Sequence, residues 1–124
     1  MPTDVSDDLL SLLENEHRLY VDLLRVAREQ GRLLAGRPAT GRTLEALVIE
    51  REEIYNRLEA SEQVTERLVS ELAEPSDAIR RAARAIRATI RQVLKQDRSN
   101  ELALSCLRQR LETENSESEL LAKV

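Results

Sequence analysis

Apolar residues recur every three or four positions over three long stretches of the chain, which is the spacing of amphipathic helices. The first stretch covers about residues 5–35 and carries two adjacent apolar rows. They are Leu9, Leu12, Leu19, Leu23, Val26 and Leu33, and beside them Leu10, Leu13, Tyr20, Leu24, Ala27 and Leu34. Two adjacent rows make a wide apolar face, so we expect this helix to pack against two others.

The second and third stretches predict two further helices, over about residues 43–73 and residues 76–111 or longer. Glycine and proline concentrate at residues 36–41 and at Pro75, which marks the two connections, and Ser76 is a suitable N-cap. The apolar row of the second stretch is interrupted at Arg51, Ser61 and Thr65. The pattern predicts one all-α domain over residues 1–124, an antiparallel helical hairpin or three-helix bundle with coiled-coil-like packing and a long C-terminal helix.

The apolar row of the third helix is divided by two polar residues, Asp97 and Asn100. They either fix the register of packing or mark a bend. This helix is longer than the other two, so part of it must overhang or join a second subunit, and residues 112–124 are expected to fray unless a partner covers them. The two parts of the row are Ile79, Ala83, Ile86, Ile90 and Val93 in front, and Leu104, Leu107, Leu111 and Leu121 behind.

Composition agrees with a helical protein, and it disfavours small-molecule pockets and a general attraction to nucleic acid or membranes. The only aromatic residues are Tyr20 and Tyr55, and charged residues make up 34% of the 124 residues, which is typical of long helices rather than sheets. Pockets for nucleotides or carbohydrates usually have aromatic walls, so the sequence disfavours a small-molecule substrate. The net charge of −4 gives no general attraction to nucleic acid or to anionic membranes.

Charge is distributed unevenly between the helices. Residues 44–74 carry nine Glu and three Arg, whereas residues 76–98 carry six Arg and one Lys against two Asp. One interpretation is that the basic side of the third helix faces the acidic second helix and fixes the register, and the other is a footprint for nucleic acid. No nucleic-acid motif accompanies the basic residues, so we favour the first. The basic stripe consists of Arg80, Arg84, Arg87, Arg91, Lys95 and Arg98.

No combination of residues in the sequence points to catalysis, a metal or a cofactor. Glu14 and His17 have the Glu-x-x-His spacing of di-iron bundles, but such a site needs a second His and His17 is the only one. A structural role for His17 is the favoured interpretation. Cys106, the single cysteine, has no neighbouring His or second Cys to make it a nucleophile and cannot form an internal disulfide. With no secretory signal and no long apolar run, we expect a cytoplasmic protein without membrane contact.

The pattern resembles that of the FlgN-type flagellar export chaperones. The segments LLSLLENEHRLYVDLLRVAREQGRLLAG and LEALVIEREEIYNRLEASEQVTERLVSEL are similar to the first two helices of that family. The segment LKQDRSNELALSCLRQRLE is similar to the third, where Asn100 and Leu104 match an Asn-x-x-x-Leu run. The resemblance covers most of the chain.

The resemblance implies a cytoplasmic flagellar type III export chaperone that holds the C-terminal helical region of hook–filament junction proteins. It places capture of the partner on the C-terminal amphipathic helix, and an apolar row of this kind suits recognition of a helix. Two alternatives stay open: a structural coiled-coil adaptor that forms a homodimer, and a nucleic-acid-binding helical protein that uses the basic stripe. The candidate partner-binding residues are Asn100, Leu104, Leu107, Leu111 and Leu121.

Overall fold

The computed structural model describes residues 4–37 and 42–123, which form three α-helices. They are α1 (Val5–Leu34), α2 (Leu44–Glu71) and α3 (Asp77–Lys123). The prediction of an all-α three-helix bundle with a long last helix is confirmed, and the helix bounds lie close to the predicted ones. Residues 112–123, which were expected to fray without a partner, are helical in this structure, and Val124 lies outside the described residues.

Local hydrogen bonds explain where the helices begin and end. The Asp4 carboxylate accepts from the backbone N–H of Ser6, and the Thr43 hydroxyl oxygen accepts from that of Ala46. Ser76, the predicted N-cap, accepts from the N–H of Ile79 at 3.3 Å. These bonds satisfy N–H groups that a first helical turn leaves unpaired. After α1, Gly36 adopts a φ of 73°, which is a left-handed conformation that suits glycine and ends the helix.

Helix α1 is the centre of the bundle because both other helices pack on it. His17 meets Thr89 and Ala27 meets Asn100, so α1 and α3 run parallel. Helix α2 runs antiparallel to both. Within the described residues, no Cα atom of α2 lies within 8 Å of a Cα atom of α3. The wide apolar face of α1 therefore packs against two helices, as predicted, while the backbones of those two helices stay apart from each other.

Two apolar clusters form the core, one towards each end of α1. The first is buried where α1 begins, and the second is buried along the rest of α1. Leaving these side chains exposed would cost about 2 kcal/mol for each large aliphatic residue, so the clusters account for most of the favourable packing. Their buried members are Leu9, Leu13, Ile79 and Ile86 in the first, and Leu23, Leu24, Val26, Leu47, Ile54, Leu58 and Val93 in the second.

A polar layer lies between the two clusters. The buried carboxylate of Glu16 accepts hydrogen bonds from the hydroxyls of Ser61, at 2.9 Å, and Thr65, at 2.5 Å. The His17 Nε2 atom lies 3.2 Å from the Thr89 hydroxyl oxygen. The interruption of the α2 row at Ser61 and Thr65 is thereby explained, since both serve as donors to a buried acid. The contact of His17 is with a hydroxyl of the neighbouring helix, which agrees with a structural histidine.

Asn100 fixes the register of α1 and α3. Its side chain is buried, and its amide donates to the backbone carbonyl oxygen of Ala27 at 2.9 Å. Its own side-chain oxygen accepts from Gln96. Gly31 makes room for this group, because a Cβ atom there would lie 2.7 Å from Gln96 Nε2 and 2.8 Å from Asn100 Oδ1. Since α3 is helical without a break through residues 97–100, the structure supports the register interpretation of these polar residues rather than the bend.

The close approach at Gly31 makes a testable prediction about stability. In an exposed helix, Gly→Ala stabilises by about 1 kcal/mol. Here we expect Gly31→Ala to lower the free energy of unfolding instead, because the new methyl group displaces Asn100 from its hydrogen bond with Ala27. Urea denaturation of the wild type and the variant measures the change.

The control for this prediction is the same substitution in an Asn100→Ala background. That background should itself lose about 1–3 kcal/mol, since it removes a buried hydrogen bond. Gly31→Ala should then become neutral or stabilising, because the Asn100 amide is absent and Gln96, which loses its hydrogen-bond acceptor there, is free to move away from the new methyl group. A gain in stability from Gly31→Ala in the wild-type background would contradict the argument.

Candidate helix-binding site

The C-terminal part of α3 projects beyond the helices on which its first part packs. Because Ala27 lies opposite Asn100, the end of α1 at Leu34 lies near the level of Leu107. Every residue from Leu104 to Lys123 is exposed. We call residues 104–123 the overhang, which begins beside the last turn of α1 and continues past it; at 1.5 Å per residue it is about 30 Å long.

The overhang continues the stripe of α3 that is buried in the bundle. Leu104, Leu107 and Leu111 are 37%, 40% and 50% exposed, and their spacing of three and four places them on one side of the helix. The same side contains the buried Ile86 and Val93. The apolar row therefore continues along one side of α3, from the part that is buried in the bundle to the exposed overhang.

The structure separates the five predicted partner-binding residues into three groups. Leu104, Leu107 and Leu111 lie together on the overhang. Asn100 is buried at the end of the bundle with its amide engaged by Ala27, so it contributes to the register of the helices and not to an open surface. Leu121 is 77% exposed but lies about 15 Å further along the helix than Leu111, with polar residues between them.

A groove between α2 and α3 joins the overhang at Leu104, and the sequence pattern did not reveal it. Its wider part is a cleft of about 420 Å³ at the end of the bundle from which the overhang projects. The floor is α1 and the two walls are α2 and α3. Its lining residues are Gln30, Leu34, Leu44, Val48, Arg51, Asp97, Asn100, Glu101 and Leu104.

The groove continues along the bundle as a smaller cavity of about 140 Å³. Tyr20 and Leu23 of α1 lie beneath it, Tyr55 forms the α2 side, and α3 contributes Ile90 and Leu94. Leu94 and Tyr55 are both exposed, as are Leu44 and Val48 in the cleft. We call the cleft and this cavity together the α2–α3 groove. Its apolar edges lie where α2 and α3, which both pack on α1, leave a gap between them.

One ion pair crosses the groove between its two parts. Arg51 Nη2 of α2 donates to Asp97 Oδ2 of α3 at 2.5 Å. Arg51 also donates to Gln30 and to the hydroxyl of Tyr55. Burial lowers the pKa of Arg51, but the hydrogen bonds to Asp97 and Tyr55 outweigh it and raise the pKa above its ordinary value. Arg51 interrupts the apolar row of α2, and Asp97 interrupts that of α3. In the structure the two residues lie at the same level of the bundle and form this ion pair.

Tyr20 carries a second polar contact on the groove floor. Its hydroxyl donates to Glu62 Oε1 of α2 at 3.0 Å. Burial, followed by this hydrogen bond to a carboxylate, raises the pKa of Tyr20 to about 12. The phenol is therefore neutral at physiological pH and serves as a donor that ties α1 to α2.

The expected pairing of the basic stripe with the acidic second helix is wrong. Within residues 4–37 and 42–123, Arg80 pairs with Asp77 on its own helix and the other five stripe residues form no ion pair. The one ion pair between α2 and α3 has the opposite signs, with the base on α2. Glu50 of α2 instead pairs with Arg25, at 2.7 Å, and with Arg42. The stripe consequently remains an exposed basic surface beside the groove.

Two further properties concern the described parts of the chain. They contain no cluster of three or more His, Cys, Asp or Glu side chains with a geometry that could hold a metal ion. None of the three helices combines the length and the apolar character needed to cross a bilayer.

Comparison of the chain with protein-family models, with characterised proteins and with solved structures finds no match. The FlgN-type resemblance therefore depends on the sequence pattern alone.

The Arg51–Asp97 pair predicts an energetic coupling between α2 and α3. Both side chains are partly buried, so we expect Arg51→Ala and Asp97→Ala each to lower the free energy of unfolding by about 1–2 kcal/mol. The double variant should lose less than the sum of the two, since the second substitution removes a group that the first has left unpaired. Urea denaturation of all four proteins measures the coupling.

Glu101→Ala is the matched control for Asp97→Ala, because it removes an exposed carboxylate one turn away on the same groove wall. It should change stability by less than about 0.5 kcal/mol. Additive losses for Arg51 and Asp97 would show that the pair does not couple the two helices.

Proposed function

We propose that this protein is a non-enzymatic, cytoplasmic helix-binding protein that acts as a flagellar type III export chaperone. Its client is the C-terminal helical region of hook–filament junction proteins, which it shields from premature association before export. The observation that carries the proposal is the row of exposed leucines on the overhang, which adjoins the open end of the α2–α3 groove.

The form of this surface suits a helix better than a small molecule. Leu104, Leu107 and Leu111 provide apolar anchors at i, i+3 and i+7, which is the spacing that matches the apolar face of a second helix. The overhang is about 30 Å long, so it can contact about five turns of such a partner. Contiguous exposed apolar side chains of this kind mark interaction surfaces in soluble proteins.

The bundle is built so that binding can be separated from folding. The core clusters end before Leu104, so the leucines of the overhang contribute little to the stability of the bundle. A client helix would cover a surface that is already formed. We therefore expect little rearrangement of α1 and α2 on binding.

The decisive experiment replaces two anchors, in the variant Leu104→Glu with Leu107→Glu. Isothermal titration calorimetry with a peptide of the C-terminal helical region of a hook–filament junction protein from the same genome should show at least a hundredfold loss of affinity. Two buried carboxylates in an apolar contact cost several kcal/mol, so such a loss is expected. Circular dichroism and urea denaturation should give nearly wild-type helix content and stability.

The control variant carries Leu102→Glu with Leu120→Glu. These leucines are 70% and 64% exposed and lie on the opposite side of the same helix. The control should bind the peptide as the wild type does. If the first variant unfolds, the leucines belong to the core; if both variants bind normally, the site lies elsewhere. If wild-type protein binds no junction-protein peptide, the chaperone proposal fails.

A further inference from the structure

We propose that the α2–α3 groove is the docking site for the overhang of a second copy of this chain. The two copies would form an antiparallel dimer with two-fold symmetry, in which each overhang lies in the groove of the other. The proposal is independent of the proposed function, since it concerns only surfaces within the chain. Three properties of those surfaces support it: length, direction and charge.

The groove and the overhang match in length. Along α3, the groove extends from Ile90 to Leu104, which is about 21 Å. The overhang is about 30 Å long and begins at the residue where the groove opens. The overhang of an antiparallel second copy can lie along the groove, above the Arg51–Asp97 pair that crosses it. The helices α1, α2 and α3 and the second copy's α3 would then form a four-helix bundle. Such a bundle closes the space that α2 and α3 leave open.

The leucine row of the overhang faces the correct way for this arrangement. On α3, the side that contacts α1 and the side that lines the groove are adjacent. A two-fold axis across the two α3 helices places both copies of α1 on the same side of the pair. The leucines of one overhang, which continue the side of α3 that contacts α1, therefore point towards α1 of the other copy, the floor of its groove. A two-fold interface requires this self-complementarity.

The charges on α3 also favour an antiparallel pair of copies. The part of α3 beside the groove carries the exposed Arg87, Arg91 and Arg98, which form no ion pair with any residue that the structure describes. The end of the overhang carries Glu112, Glu114, Glu117 and Glu119, with no basic residue among residues 112–119. With the axis near Leu104, Glu119 of one copy lies at the level between Arg87 and Arg91 of the other, and Glu112 lies at the level of residue 96. Glu112 and Glu119 are on the same side of α3 as these arginines, which is the side that a two-fold axis brings face to face. A parallel pair would instead place Arg beside Arg and Glu beside Glu.

Charge reversal tests the arrangement. Variant A carries Arg87→Glu with Arg91→Glu, and variant B carries Glu112→Arg with Glu119→Arg. We expect sedimentation velocity to show a dimer for the wild type and at least a tenfold higher dissociation constant for A and for B. An equimolar mixture of A and B should restore the dimer, because each groove then meets an overhang of opposite charge. The chain that carries all four substitutions should also dimerise.

The matched control reverses two exposed arginines on α1, in the variant Arg28→Glu with Arg32→Glu. These residues lie along cavities between α1 and α3 that are distinct from the groove. This control changes the net charge as much as variant A does, but it should leave the dimer intact. Circular dichroism of every variant distinguishes loss of the dimer from loss of the fold.

Distances between spin labels on the two copies show whether their α3 helices run antiparallel or parallel. Cys106, the only cysteine, is exposed and lies close to the proposed axis, so a label there should give an intermolecular distance below about 25 Å. In a Cys106→Ser background, a label at Ser118→Cys should give about 40 Å along the helix axes in the antiparallel dimer. A parallel dimer would give a short distance at both positions.

Several results would overturn the proposal. They are a wild-type monomer at high concentration, a dimer that A and B leave unchanged, and a short distance at position 118. Binding of the wild type to duplex DNA with a steep dependence on salt, without a dimer, would assign the basic stripe to nucleic acid instead. Failure of the junction peptide to bind would leave all of these outcomes unaffected, so the two proposals can fail separately.

Discussion

The rest of the structure depends on the wide apolar face of α1. Both α2 and α3 pack on this face, and neither brings its backbone close to the other. Burial of large aliphatic side chains contributes about 2 kcal/mol each, so two rows on one helix can hold two partners without a third contact surface. The open groove is the direct consequence, since α2 and α3 are positioned mainly by α1 and their backbones do not pack on each other. The overhang has a similar origin, because α3 is longer than the helix that supports it.

Polar contacts then select one register among those that apolar packing allows. An apolar row slides by one turn at little cost, whereas a buried amide or carboxylate must meet its partner atoms. Glu16 requires the hydroxyls of Ser61 and Thr65, and Asn100 requires the carbonyl of Ala27 and the space above Gly31. A buried polar group without a partner costs about 1–3 kcal/mol, so displaced registers are disfavoured. Register matters for function here because it sets where α3 leaves the bundle and which leucines stay exposed.

Much of the fold could be predicted from the sequence, because the spacing of apolar residues along the chain determines which segments form helices and which sides of them are buried. The apolar rows give the three helices, the glycines and prolines give the connections, and the double row of α1 gives its central place. The relations between distant residues could not be read in this way. Arg51 and Asp97 each appear as a weak position in a row, and only the folded chain shows that they meet. The expected pairing of the basic stripe with α2 failed for the same reason: net charge per segment carries no information on which side of a helix faces its neighbour.

The candidate site was predicted in part, and the remainder depends on where the supporting helix stops. Spacing identified Leu104, Leu107 and Leu111 as one row. It also placed Asn100 among the candidate partner-binding residues, because the row passes through that position. Burial separates them, since α1 covers Asn100 almost completely, whereas the three leucines lie beside or beyond its last turn and are increasingly exposed. The end of a supporting helix is a tertiary property, set by register and by the connection between α1 and α2. Sequence periodicity therefore finds an apolar stripe but not the point at which the stripe becomes exposed.

The two proposals use the same leucines, so they are linked by mass action. If one overhang lies in the groove of a second copy, its leucine row is covered, and a client helix must displace it. The apparent association constant for the client is then the intrinsic constant multiplied by the fraction of overhangs that are free. Self-pairing would protect the exposed leucines from non-specific association when no client is present. A protein that must bind a helix and later release it gains from such competition, because the second copy replaces the client contacts at the moment of release.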